Sequence, residues 1–333
     1  MDDKILVTGG AGFIGSHVVD ELIESDNQVI VLDDLSGGFE ENLNPKAEFI
    51  KGSTSDKELV SKIFSENKIS YVFHIGAYAA EGLSHFIRKF NYENNLMGSI
   101  NLINESIKSK VKCFVFTSSI AVYGKNQLPM TEETIPEPED PYGISKLAIE
   151  QDLKAAKQMF GLNYIIFRPH NVYGERQNIG DRYRNVVGIF MNKILQNKPL
   201  TIFGDGEQTR AYTYIGDVAP IIAKSISEQK AYNEIFNIGA EERYSLNILT
   251  KEIIKSMKET DEHEIDHQPP RKEVMHAYST HEKVMNVLGY KTNTSLSEGL
   301  KKMANWVKQV GIKESQEFKN IEIEENLPPS WKK

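Results

Sequence analysis

The chain has 333 residues, 40% hydrophobic and 26% charged, a composition that argues against global disorder and fits one large domain or two interlocked ones. Its formal net charge of −8, from 47 acidic and 39 basic residues, argues against broad nucleic-acid binding, which depends on clustered Lys and Arg. A single cysteine, Cys113, precludes an intrachain disulfide, and no apolar run reaches the roughly 18 residues of a membrane span.

Ile5–Val7 is continuously apolar and runs at once into a cluster of glycines. Phe13–Glu24 then carries apolar residues at helical spacing. Strands are expected at Val29–Leu32, Phe49–Ile50, Tyr71–Ile75 and Cys113–Thr117, with helices at Glu58–Phe64 and Met97–Ile107. This alternation predicts a parallel sheet with crossover helices, and strands apolar throughout fit a sheet covered on both faces. Cys113 lies within such a strand and reads as a core thiol. Leu128–Pro141, with four prolines, reads as an ordered loop feeding a helix from Tyr142 to Phe160; Asn163–Phe167 is the next strand. Beyond Pro169 the rhythm loosens. Helical patterns recur at Tyr183–Gln196, Asp217–Ser227 and Leu246–Lys258, with short strands at Leu200–Phe203 and Ile235–Ile238. The charged tail, Lys313–Lys333, reads as a surface appendage.

Two motifs carry chemistry. Thr8-Gly9-Gly10-Ala11-Gly12-Phe13-Ile14-Gly15 follows a strand and opens a helix. Its glycines let the backbone approach a pyrophosphate seated on the helix N-terminus. Asp33 stands 18 residues beyond Gly15, at the end of the next strand. A carboxylate there accepts hydrogen bonds from ribose hydroxyls and repels a 2′-phosphate, which favours NAD over NADP. The second motif is Tyr142-Gly143-Ile144-Ser145-Lys146. Residues four apart share a helix face, so the Lys146 ammonium would lower the Tyr142 phenol from about 10 and make a tyrosinate base. That spacing also suits a solvated helix face. Thr117, Ser118 and Ser119 end a strand on the side where open α/β sheets bind ligands, and a serine there can hold a substrate hydroxyl.

With these pieces in place, the chain resembles the extended short-chain dehydrogenase/reductase family, and within it the NAD-dependent nucleotide-sugar epimerases and dehydratases. The resemblance rests on TGGAGFIGSH, the LDDLSGG stretch, FHIGA, FTSSIAVYG, EDPYGISKLAIE, FRPHNVYG and FGDGEQTRAYTYIGDVA, and covers about residues 4–290. It implies a Rossmann-type doubly wound parallel sheet over residues 1–168, completed by a segment near 212–238, and a smaller mixed C-terminal substrate domain over 169–333. Gly9, Gly12, Phe13, Ile14 and Gly15 would hold the cofactor's pyrophosphate and Asp33 its ribose, with Asp34, Ser36 and Gly38 near the adenosine. Ser53, Thr54, Ile75, Ala77 and Thr117 would complete the cofactor side, Asn95 would brace it, and Pro169 would line the nicotinamide. Ser119, Tyr142 and Lys146 match the catalytic set. Asn171 and Arg210 match ligands of the sugar-nucleotide diphosphate, and Arg271 is a further candidate.

The resemblance also has departures. Ser53 stands where an acid is common, and Ala211 where an acid often follows the arginine. The spacing from Arg271 to Glu273 is one short of the usual pattern. The sugar-facing stretch Ala79–Phe90 does not match hexose 4-epimerases closely. In the family's 4,6-dehydratases an Asp–Glu pair follows the catalytic Ser or Thr; here Ile120 and Ala121 follow, and neither carries a proton. The expected function is therefore a nucleotide-sugar 4-epimerase, UDP-hexose first, working through a transient 4-keto sugar. A dehydratase or reductase of a nucleotide sugar, with Glu81 as a substitute acid, and a non-catalytic NAD-binding regulator are the alternatives.

His263-Glu264-Ile265-Asp266-His267 has the H-E-x-x-H spacing of zinc proteases, but it lacks an apolar helical stripe and ends in two prolines, so it reads as a solvated connector. No metal is expected. His170, between Pro169 and Asn171, suits packing better than substrate contact. The N-terminus has no signal-peptide pattern, so the expected location is the cytoplasm. Family members commonly dimerise, so a homodimer is expected, with the helix at Met97–Ile107 a candidate for its interface.

Overall fold

The computed structural model describes residues 3–125, 128–258, 262–270, 274–314, 317–328 and 331. Its larger part is a seven-stranded sheet of β1 (Lys4–Thr8), β2 (Val29–Asp33), β3 (Glu48–Lys51), β4 (Ile69–His74), β5 (Cys113–Thr117), β6 (Tyr164–Pro169) and β7 (Glu234–Ile238). The spatial order is β7-β6-β5-β4-β1-β2-β3, and every pairing is parallel. The longer helices are α1 (Phe13–Glu24), α2 (Lys57–Glu66), α3 (Gly98–Lys108), α4 (Pro141–Phe160), α5 (Val186–Leu195), α6 (Ile215–Lys224), α7 (Leu246–Met257) and α8 (Leu296–Val310).

Side chains alternate across a strand, and here both faces are covered. Ile5 and Val7 of β1 pack with Val18 and Leu22 of α1 and Val218 and Ile222 of α6. Leu6, between them, points to the opposite face and joins Val60 and Ile63 of α2, Leu102 of α3, and Ile149 and Leu153 of α4. This is the doubly wound arrangement that the uniformly apolar strands predicted. The chain leaves β3 and crosses to β4 on the far side of β1, so the switch point lies between β1 and β4. Ligand crevices form there, beyond the C-terminal strand ends. A separate core of Met191 (α5), Ile253 (α7), and Leu300, Met303 and Val307 (α8) organises the C-terminal part.

Local signals set the helix ends. Asp140 caps α4 by accepting from the Gly143 N–H at 2.9 Å, Pro141 occupies the first turn, and Gly161 closes the helix in the left-handed conformation. Three expectations change. The helix expected from Tyr183 starts only at Val186, because Asn185 adopts φ +62° ahead of it. The connector 263–267 contributes to an exposed strand, Ile265–Gln268, parallel to Leu200–Phe203. The two histidine rings there face the Lys198 and Gly204 carbonyls.

The third change concerns the tail, expected as a surface appendage, whose described residues dock on the body of the protein. Phe318, Ile321 and Trp331 pack with Ala80, Leu83 and Ile87 of the stretch expected to face the sugar. Glu322 accepts from the Lys89 and Phe90 N–H groups at 2.8 Å each, and its own N–H donates to the Phe86 carbonyl at 2.8 Å.

Candidate active site

A cleft of about 310 Å³ opens over the C-terminal ends of β1, β2, β4 and β5. Its floor is a backbone cradle. Gly9 has φ +72°, and a Cβ on Gly15 would fall 2.0 Å from the Gly9 carbonyl oxygen, so neither position admits another residue without backbone movement. A Cβ on Gly38 would fall 2.5 Å from the Ala11 backbone, so the loop after β2 lies directly on the loop after β1. Asp33 joins the two loops. One carboxylate oxygen accepts from the Ala11 N–H at 3.0 Å and the other from the Leu35 N–H at 2.8 Å. Burial pushes its pKa up, and these amides pull against that. The bare glycine loop at the N-terminus of α1, with a carboxylate at the end of β2, fits a dinucleotide. Thr117 Oγ1, also lining the cleft, is buried without a hydrogen-bond partner in the protein.

Across the cleft stand Ser119, Tyr142 and Lys146. Ser119 follows β5 and fixes the next turn by accepting from the Ala121 N–H at 3.1 Å. Tyr142, in the first turn of α4, shares a hydrogen bond with the Ser119 side chain. Lys146, one turn on, is buried, donates to the Thr117 carbonyl at 2.8 Å, and sits 4.6 Å over the Phe116 ring and 5.8 Å from the Tyr142 ring centre. The electrostatics differ from the sequence reading. Burial raises the Tyr142 phenol above its ordinary value, the Glu81 charge adds to this, and the bond to Ser119 opposes it. Burial likewise pushes the Lys146 ammonium down to about 7, opposed by Glu150. Burial therefore shifts both groups toward their neutral forms.

Beneath these residues is a buried polar layer that the sequence reading missed. Arg168 of β6 binds Glu150 of α4 through Nε at 2.9 Å and Nη2 at 2.6 Å; both side chains are 2% exposed or less. Glu150 also accepts from the Ser118 hydroxyl at 2.5 Å, and Arg168 donates to the Tyr123 hydroxyl at 2.7 Å. The layer ties α4 to β5 and β6, and so fixes Lys146 relative to Ser119. Glu150 lies four residues beyond Lys146, the same spacing that links Tyr142 to Lys146, and that was the available signal.

Most of the expected site residues come together. Gly9, Gly12, Phe13, Ile14, Gly15, Asp33, Asp34, Ser36, Gly38, Ser53, Thr54, Ile75, Ala77, Thr117, Ser119, Tyr142, Lys146, Pro169 and Asn171 all line the cleft. Asn95 lies behind it and braces the stretch after β4, accepting from the Tyr78 N–H at 2.8 Å. Arg210 does not join them. Its guanidinium donates to the backbone carbonyls of Thr209, Val274 and Met275. Arg271 lies outside the described residues. His170 is buried and faces Ser279 at 2.7 Å and His281 at 3.2 Å, which is a packing role. Glu81, Gln177, Asp181 and Arg184 line the cleft as well, and of these only Glu81 was singled out.

Residues 5–239 match the model of the NAD dependent epimerase/dehydratase family. The chain belongs to that family and is an NAD-dependent epimerase of the extended short-chain dehydrogenase/reductase class. It is 40% identical to a putative UDP-glucose 4-epimerase of Methanocaldococcus jannaschii, over 91% of this chain and 98% of that one. It superposes with a TM-score of 0.86, at 39% identity, on the UDP-glucose 4-epimerase of Thermotoga maritima solved with UDP-glucose, over 93% of this chain and 99% of that one. It is also 31% identical to the dTDP-D-glucose 4,6-dehydratase of Mus musculus, over 92% of this chain and 89% of that one.

Proposed function

We propose that this protein inverts C4 of a UDP-sugar, a UDP-hexose first among them, through a transient 4-keto sugar. Residues 1–168 with 212–238 form the cofactor half, and the remainder forms the substrate half. Gly9, Gly12, Phe13, Ile14, Gly15, Asp33 and Lys146 hold the dinucleotide. NAD, when bound, supplies the acceptor that takes a hydride from C4 and gives it back. Tyr142 takes the proton of the C4 hydroxyl as general base and Ser119 holds that oxygen, while Lys146, in its ammonium form, supports the phenolate against the burial that favours the neutral phenol. Inversion follows when the planar carbonyl carbon presents its other face. Exposed Met97 and Ile144, on neighbouring helical segments, support a homodimer built on that side.

The observation that carries the reading is the Ser119–Tyr142–Lys146 constellation facing the glycine cradle across one cleft. The epimerase is favoured over the dehydratase by Ile120 and Ala121, which open the turn after Ser119 where a dehydratase needs an acid and a base. Glu81, close enough to raise the Tyr142 phenol, is the acid that a dehydratase would have to recruit. The test uses UDP-glucose and other UDP-hexoses with no added NAD, product analysis by NMR and mass spectrometry, and Tyr142→Phe as control. The expected product is the 4-epimer of unchanged mass, formed about 10²–10⁴-fold more slowly by Tyr142→Phe. A product lighter by one water would overturn the epimerase and point to Glu81.

A further inference from the structure

A cleft that takes NAD and a UDP-sugar must grip two diphosphate anions. Among the described residues lining it, the cationic side chains are Lys146, committed to the Thr117 carbonyl, and Arg184. Arg184 is held on two sides. Asp181 accepts from its Nε at 2.7 Å and pairs with Nη2 at 2.5 Å, and the guanidinium stacks 4.7 Å over the Tyr78 ring. Its tip faces Gly37, with Nη2 and Nη1 3.5 and 3.9 Å from where a Cβ on that residue would stand. The next residue, Gly38, packs on the glycine loop, so the guanidinium reaches over the edge of the phosphate cradle. Gln177, 2% exposed and lining the same cleft, has both side-chain polar atoms buried without a hydrogen-bond partner in the protein. A buried amide left unsatisfied is costly, and a ligand oxygen or hydroxyl would satisfy it.

Segment 181–185 has no helix or strand to hold it, and the tail does so instead. Arg182 pairs with Glu317 at 2.9 Å, the Tyr183 hydroxyl accepts from the Phe318 N–H at 3.2 Å, and the Tyr183 ring packs edge-on to Trp331 at 5.2 Å. Phe318 also meets Tyr78, the platform beneath Arg184, at 5.4 Å.

We propose that Arg184 binds a diphosphate in the cleft, and that Glu317, Phe318 and Trp331 of the tail position it there through Arg182, Tyr183 and Tyr78. The inference rests on the nucleotide-sugar reading above. A planar guanidinium already oriented by a carboxylate and an aromatic face suits a bidentate grip on phosphate oxygens. The same chemistry serves the pyrophosphate of the cofactor and the diphosphate of the substrate, and two binding measurements separate them. UDP affinity is measured by calorimetry on the NAD-saturated protein, and NAD affinity by titration of the full chain. Arg184→Gln should weaken one of the two about 10- to 100-fold. Loss for UDP alone assigns the site to the substrate, and loss for NAD alone to the cofactor.

Arg184→Lys, which keeps the charge without the planar fork, should recover part of the affinity. Phe318→Ala should weaken the same ligand by a smaller factor, and Phe318→Leu should restore it. Both affinities unchanged in folded Arg184→Gln, or in folded Arg184→Met if the Gln variant melts early, would overturn the site while leaving the epimerase reading intact. Wild-type protein that takes up neither NAD nor UDP would overturn that reading and this site together.

Discussion

The two walls of the cleft are built on different physical grounds. The cofactor wall is made of backbone. Gly9, Gly15 and Gly38 leave no room for a side chain, and amide groups fix Asp33 between two loops. The opposite wall is made of side chains gathered from 78–90, 181–185 and the tail, with aromatic rings of Tyr78, Phe90, Tyr183, Phe318 and Trp331 in contact. Backbone geometry tolerates almost no change, whereas an aromatic cluster can be repacked. A family can therefore keep one cofactor and vary the sugar.

The largest effect should come from the buried layer beneath Ser119, Tyr142 and Lys146, which stands behind both walls. Glu150→Gln leaves the Arg168 guanidinium buried without its counter-charge and should cost about 3–5 kcal/mol in denaturant unfolding. A loss below about 1 kcal/mol would show that this layer is less rigid than its bonding implies.

Lys146 should give a pH signature. Its folded pKa, about 7, lies below the value of about 10.4 in an unfolded chain, so between these values the unfolded chain binds the extra proton. Stability should therefore rise with pH from about 7, by up to roughly 1.4 kcal/mol per pH unit. The window is clearest up to about pH 9, above which Cys113, whose pKa burial raises, opposes it. Lys146→Met should flatten the rise, and an equal rise in that variant would assign it elsewhere.

A matched pair of alanines contrasts the walls themselves. Gly15→Ala meets the Gly9 carbonyl at 2.0 Å and should cost about 1–3 kcal/mol together with bound NAD. Gly82→Ala meets only the Trp331 ring, at 3.2 Å, and should stay within about 0.5 kcal/mol of wild type with NAD retained. Equal costs in thermal melts would remove the distinction.

The same contrast explains what was legible in the sequence. The cofactor wall could be read because each of its demands falls on a short segment: glycines at fixed offsets, an acid at a strand end, Tyr142 and Lys146 one helical turn apart. The environment of Tyr142 could not, because burial and the approach of Glu81 depend on segments about sixty residues away. The run at 183–185 carries helix-like spacing into Val186, and nothing local announces the left-handed Asn185 that frees Arg184 to enter the cleft. The docking of the tail was hidden in its composition. Phe318, Ile321 and Trp331 follow no period among charged residues, and Glu322 caps a helix more than two hundred residues earlier.

The central claim, inversion at C4 with the same hydrogen returned, is tested most directly with a UDP-hexose deuterated at C4. The purified protein, with no added NAD, should convert it to the 4-epimer with the deuterium still on C4 and none exchanged with water. Deuterium lost to solvent, or found on another carbon of the sugar, would contradict the account.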